Sequence, residues 1–248
     1  MLAAGALGAV QPWTGLNQQV LELVQFAPTI ATGVVLALFR GPDRPTLRLG
    51  GGTGRQAAIG LVTLAGAAAG VFALCCLAYA ATGRQLSVLP IGTLVAPFAV
   101  IVFAQWVGAC GEEVGWRCLM QPLLERRYST LRSSVIVGLL WGCWHIQVFA
   151  RGGVYTTGFL IATVAMSIMV GVTIGQRGHN LVLASVFHLL INLGLLFLMN
   201  EENGDVMAMV VFGGACVAMC AVIVGHSLRA TGRSQLAVLP ADRIEVAR

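Results

Sequence analysis

The chain contains no lysine. Its 15 basic residues are all arginine, set against 10 acidic ones, for a net charge of +5. Charged residues of both signs make up only 10% of the 248 positions, where a soluble domain carries roughly 25%. That scarcity excludes an ordinary water-soluble globule. The 57% hydrophobic content makes lipid the solvent for most of the chain. No CxxC pair occurs. The seven cysteines, Cys75, Cys76, Cys110, Cys118, Cys143, Cys216 and Cys220, all fall in apolar stretches, which argues for small buried hydrophobes and against a zinc ribbon or a disulfide framework. HExxH is absent, excluding the common zincin arrangement. No basic segment precedes the apolar run at residues 1–10, so no cleaved signal peptide is expected. The arginines lie between apolar segments and form no nucleic-acid patch, so no nucleic-acid partner is expected.

Apolar runs fill the rest. A membrane-crossing helix needs about 20 such residues, and seven candidates run at about 19–39, 57–81, 91–124, 132–150, 154–175, 180–199 and 206–226. The fold expected is an all-α polytopic transmembrane bundle, a single integral membrane domain over 1–248. The first segment is interrupted by Glu22, Gln25 and Pro28, and the third by Pro97 and Pro122, which predict a kink or tilt. Arg40, Arg44, Arg48, Arg55, Arg126, Arg127, Arg132, Arg177, Arg229, Arg233, Arg243 and Arg248 fall on one side of this map. Arg84, Arg151, Glu201, Glu202 and Asp205 fall on the other. The asymmetry puts the N-terminus outside and the C-terminus in the cytoplasm.

Ionisable groups inside spans are costly and mark functional sites by default. Three clusters stand out: Gly111-Glu112-Glu113-Val114-Gly115-Trp116-Arg117, Trp141-Gly142-Cys143-Trp144-His145, and His188-Leu189-Leu190-Ile191-Asn192. At about 1.5 Å per residue from the intervening turns, Glu112, His145 and Asn192 lie about 20 Å deep and His188 about 15 Å. One layer of the membrane can therefore hold all three clusters. Residues four apart share a helix face, so Arg117 is placed to neutralise Glu113, while Glu112 points about 100° away with no such cation. His188 and Asn192 share a face too, and Trp141 is placed to pack on the His145 ring. Gly111/Gly115 and Gly138/Gly142 permit close helix approach, a weak signal in a chain with 31 glycines. His179 and His226 fall at helix ends, where an interfacial place without a role is expected.

A glutamate beside a histidine can activate water as general base, and a second histidine with an asparagine can stabilise an oxyanion. Together they suit hydrolysis of a peptide bond without a protein nucleophile. Two histidines and a glutamate can alternatively bind zinc. Ser167 and Ser185 offer no better serine mechanism. A different class of reading makes the chain a non-enzymatic polytopic protein, a transporter or immunity-type binder, with a structural buried polar cluster.

Glu-Glu-x-x-x-Arg, aromatic-x-x-x-His and His-x-x-x-Asn on successive spans, over about residues 90–200, resemble the CPBP family. These are the CAAX-protease and bacteriocin-processing intramembrane endopeptidases, also called Abi proteins. The resemblance implies a helical bundle with a polar cavity in the cell membrane of a bacterium. It implies an endopeptidase acting on a membrane-associated peptide or protein, in contact with membrane lipid. Glu112 would be the base, His145 its partner in holding the water, and His188 with Asn192 the oxyanion-stabilising pair. Glu113 and Arg117 would complete the first motif. Both a metal-free glutamate mechanism and a zinc mechanism are open. If a metal binds, Glu112, His145 and His188 would hold it. Trp141 stands where the family's second motif usually has Phe.

Overall fold

The computed structural model describes residues 1–41, 44–199 and 204–231. These form helices and no strand. After a short N-terminal helix α1 (Leu2–Val10) come α2 (Ala27–Leu38), α3 (Gly54–Ala81), α4 (Phe98–Gly115), α5 (Gln121–Leu124), α6 (Thr130–Trp144), α7 (Gly153–Arg177), α8 (Leu181–Gly194) and α9 (Val206–Thr231). A π-helical turn, Trp116–Met120, joins α4 to α5, and another, Leu195–Met199, extends α8. Five helices are long and apolar enough to cross a membrane: Gly54–Ala81, Phe98–Leu124, Gly153–Gly175, Leu181–Met199 and Val206–Arg229. The chain is a multi-pass membrane protein.

All seven expected apolar segments are helical, but two are short. The first, drawn as 19–39, begins as a 3₁₀ turn (Leu23–Phe26) and becomes α-helix at Ala27, with Pro28 in the first turn, where its missing N–H costs nothing. The 12 residues of α2 rise only about 18 Å, short of the roughly 30 Å of hydrocarbon. The fourth, drawn as 132–150, stops at Trp144. Ser129 caps its start by accepting the N–H of Arg132, and His145 leaves the helix at φ −79° and ψ 65° before a 3₁₀ turn, Ile146–Arg151. His145 therefore sits at the end of α6 and not within a span. The α1 helix is an element the apolar map did not contain.

Pro122 does not end the third segment. It lies in the first turn of α5, immediately after the π turn. A proline has no N–H for the carbonyl four residues back, which here is Cys118, and the backbone N–H of Arg48 donates to that carbonyl at 2.9 Å. The loop carrying Arg48 thereby docks under the π turn. On the same side, the Leu181 N–H donates to Leu49 O at 2.8 Å and His179 Nε2 meets Glu125 Oε2 at 2.8 Å. The loop before α3, the turn after α5 and the α7–α8 junction thus share one face of the bundle. At the opposite end the Leu89 N–H donates to Phe197 O at 2.9 Å, and Arg151 lies against Gly204. His179 is buried and bonded to Glu125, which corrects the expectation of an idle interfacial histidine. Arg233, Arg243, Arg248, Glu201 and Glu202, used in the charge map, lie outside the described residues. Among the cysteines, Cys75, Cys118 and Cys216 are buried as expected, whereas Cys76 and Cys143 are exposed.

The glycine pairs carry more than chance spacing suggested. Added methyls at Gly111 and Gly115 would come within 2.9 Å of Gln25 O and 2.5 Å of Pro28 Cβ, so α4 lies directly against the start of α2. At Gly138 and Gly142 they would come within 2.7 Å of Val164 Cα and 2.6 Å of Leu160 Cδ2, seating α6 on α7.

Candidate active site

Four helices converge on the polar residues. Glu112 and Glu113 end α4, Arg117 lies on the π turn, Trp141 lies on the last turn of α6 with His145 just beyond it, Ser167 comes from α7, and His188 and Asn192 come from α8. Glu112, Glu113, Arg117 and His188 are each 5% exposed or less. Charges so enclosed are tolerable only when paired or hydrogen-bonded, and each has such a partner.

Glu113 is held twice. Its Oε2 lies 3.1 Å from Arg117 Nε, the i, i+4 ion pair that the spacing anticipated. The approach is ionic and not an aligned hydrogen bond, since neither atom meets hydrogen-bond geometry. Its Oε1 accepts the Nδ1 proton of His188 at 2.9 Å. The carboxylate thereby fixes the His188 tautomer and leaves Nε2 as the other ring nitrogen. Arg117 is fixed further by Nη1 donating to Ser167 Oγ at 2.9 Å, and Ser167 Oγ in turn donates to Ser134 O at 2.5 Å. Ser167 is thus a support for the arginine. Ser185 accepts the Trp106 indole N–H at 3.1 Å.

Glu112 lacks an i+4 cation, as its helical phase requires, and an indole takes that place. Trp141 Nε1 donates to Glu112 Oε2 at 2.8 Å. The Trp141 ring also meets His188 and His145 edge-on, with centroids 5.2 Å and 6.0 Å away, and the Arg117 guanidinium lies 5.4 Å from its centroid. His145 donates Nδ1–H to the Trp141 carbonyl at 2.9 Å and packs edge-on against Phe159. The three clusters therefore meet around one indole. Sequence reasoning placed Trp141 against His145 but missed its bond to Glu112, which arises from the tertiary packing of α6 on α4.

Asn192 stands apart from the indole contacts. Its Nδ2 donates to Gln105 Oε1 at 3.3 Å, and Gln105 Nε2 donates to Gln19 O at 3.0 Å. That second bond fixes which end of the Gln105 amide faces Asn192. Gln105, a polar residue in an apolar helix, was the one signal by which this support could have been found. Gln25 lies against Gly108, and Glu22 is close enough to Glu112 for their charges to repel.

The donor set does not fit a metal as it is placed. Among the described residues, no group of three His, Cys, Asp or Glu side chains is positioned to hold one. The hydrogen bonds of Glu112 Oε2, His145 Nδ1 and His188 Nδ1 leave Glu112 Oε1 and the two Nε2 atoms as the atoms that would hold a zinc ion if one bound.

Residues 94–194 match the family described as type II CAAX prenyl endopeptidase Rce1-like. Over 107 residues the chain is 28% identical to the CAAX prenyl protease 2 of Methanococcus maripaludis, a match covering 39% of this chain and 40% of that protein. Over 148 residues it is 28% identical to the lysostaphin resistance protein A of Staphylococcus aureus, covering 58% of this chain and 34% of that protein. The chain thus spans less than half the length of both curated relatives.

Proposed function

We propose that this chain, whose residues 94–194 belong to the CPBP family, is an intramembrane endopeptidase that hydrolyses a peptide bond of a membrane-associated substrate. The observation that carries the reading is the convergence of Glu112, His145 and His188 on Trp141, with Glu113 bonded to His188. A buried carboxylate beside two imidazoles is the equipment of water activation. Glu112 takes a proton from a water, and His145, through Nε2, helps to hold that water. The hydroxide attacks the scissile carbonyl to give a tetrahedral intermediate, whose collapse breaks the C–N bond as Glu112 passes the proton it took to the leaving amine. His188, bearing a proton on Nε2, donates to the oxyanion together with the second N–H of Asn192. Glu113 is the counter-charge of the His188 ring in that step, and Arg117 balances Glu113.

A transporter would string its carboxylates along a route through both faces. The gathering of Glu112, His145 and His188 around one indole favours hydrolysis. A prenylated CAAX peptide is the first substrate to try, from the name of the archaeal relative. We take residues 90–200 as the catalytic core and Glu125–Ser129, with the other arginine-bearing loops, as cytoplasmic. The N-terminus then lies outside, with α6 carrying the chain back across between α5 and α7 and α2, lengthened by the Leu23–Phe26 turn that precedes it, completing seven passes. The deciding experiment is proteome-wide mapping of protein termini in cells carrying wild type, Glu112→Ala or His188→Ala. Termini present only with wild type support the reading, and identical termini in the three strains overturn it.

A further inference from the structure

We infer that Trp141 is a positioning residue that sets the geometry of the base, acting through both its side chain and its backbone. The inference rests on the reading of Glu112 as base. The indole N–H, a donor only, holds Glu112 Oε2 at 2.8 Å, and the Trp141 carbonyl takes the Nδ1 proton of His145 at 2.9 Å. One residue therefore fixes the proposed base and the histidine that assists it. Among the described residues, Trp141 is the hydrogen-bond donor found for Glu112. With Oε2 pinned, Oε1 is the oxygen presented to water.

The indole itself has little freedom to turn. It is 5% exposed. His188 and His145 meet it edge-on at 5.2 Å and 6.0 Å, and the Arg117 guanidinium lies 5.4 Å from its centroid. Edge-to-face contacts and a cation at the ring both prefer a defined ring orientation. A bond to a buried anion from a donor so fixed is of the charge-assisted kind. A phenylalanine here would keep most ring contacts and lose the N–H. Glu112 would then be free to swing among rotamers in a site where a misplacement of about 1 Å costs on the order of 100-fold in rate.

Two replacements separate the N–H from the ring. The full chain is reconstituted in lipid nanodiscs with a farnesylated CAAX peptide bearing a fluorophore and a quencher as the probe. Trp141→Phe and Trp141→benzothienylalanine, the latter keeping the bicyclic shape without N–H, are both expected to lower kcat about 10- to 100-fold while KM stays within about twofold. A benzothienylalanine variant with wild-type kcat would show that shape alone matters and would overturn the inference. So would a fall expressed in KM only. Independently of turnover, the indole ¹⁵N–¹H resonance of Trp141, assigned by its loss in Trp141→Phe, should move when Glu112 is replaced by Ala. An unmoved resonance also overturns it. A wild-type chain that leaves the probe whole, with the resonance shift present, counts against the protease reading and leaves the hydrogen bond established.

Discussion

Glu113 joins α4 to α8 by accepting the Nδ1 proton of His188 at 2.9 Å while its other oxygen lies 3.1 Å from Arg117 Nε. Its neighbour Glu112 is held by an uncharged donor, the Trp141 indole N–H. Adjacent carboxylates thus have different environments, and their substitutions should have separable consequences.

Glu113→Gln keeps an acceptor for His188 but leaves the Arg117 charge without its partner. Breaking a buried pair in this way costs about 3–5 kcal/mol. Turnover should fall about 100-fold as well, because the imidazole loses its counter-charge. Glu112→Gln keeps a carbonyl oxygen for the Trp141 N–H, so its stability should stay within about 1 kcal/mol of wild type while cleavage is lost. Thermal unfolding in detergent read beside peptide cleavage checks both. Equal stability loss in the two variants would contradict the assignment.

The pairing of Glu113 with Arg117 was readable from i, i+4 spacing, as was the separate direction of Glu112. The seven apolar segments were readable from composition and are all helical. What the chain pattern did not carry is what depends on neighbours or on backbone exceptions. Pro122 looked like a break, yet a π turn and the Arg48 N–H absorb it. His145 looked buried in a span because apolar residues continue beyond it, and no periodicity marks the change from α to 3₁₀ at Trp144. The indole bond to Glu112 and the Gln105 support of Asn192 join segments 29 and 87 positions apart, and local spacing holds no information about either.

Glycine packing gives a test with an internal control. An added methyl at Gly138 would come within 2.7 Å of Val164 Cα and 2.8 Å of Ser167 Cβ, so α6 or α7 must shift. Gly138→Ala should lose about 1–3 kcal/mol through overpacking. Because Ser167 supports Arg117, activity should fall with it. At Gly66 on α3 nothing lies within 4 Å of the added methyl. Gly66→Ala should be neutral or gain up to about 1 kcal/mol from helix propensity. Unfolding midpoints of the two variants, compared under one detergent, decide the matter.

Metal dependence has a direct test. With no three-ligand group placed to hold a metal among the described residues, cleavage should survive prolonged treatment with 1,10-phenanthroline. Elemental analysis of the purified, active protein should find no stoichiometric transition metal. Loss of activity on chelation, restored by added zinc, would require the site to rearrange and would refute the metal-free reading.

Orientation follows from which loops share a face. Arg48, Glu125 and His179 belong to three segments tied together by backbone and side-chain bonds. Arg44, Arg126, Arg127, Arg132 and Arg177 lie in or beside those segments, whereas Arg84 lies in the connection that pairs with Phe197 at the other end. Arginine-rich loops are retained in the cytoplasm. A fluorescent-protein fusion after Arg127 should therefore glow and an alkaline phosphatase fusion there should be inactive. Fusions after Gln85 should behave in the opposite way. The reverse pattern at both positions would invert the topology and put the Glu125–His179 face outside the cell.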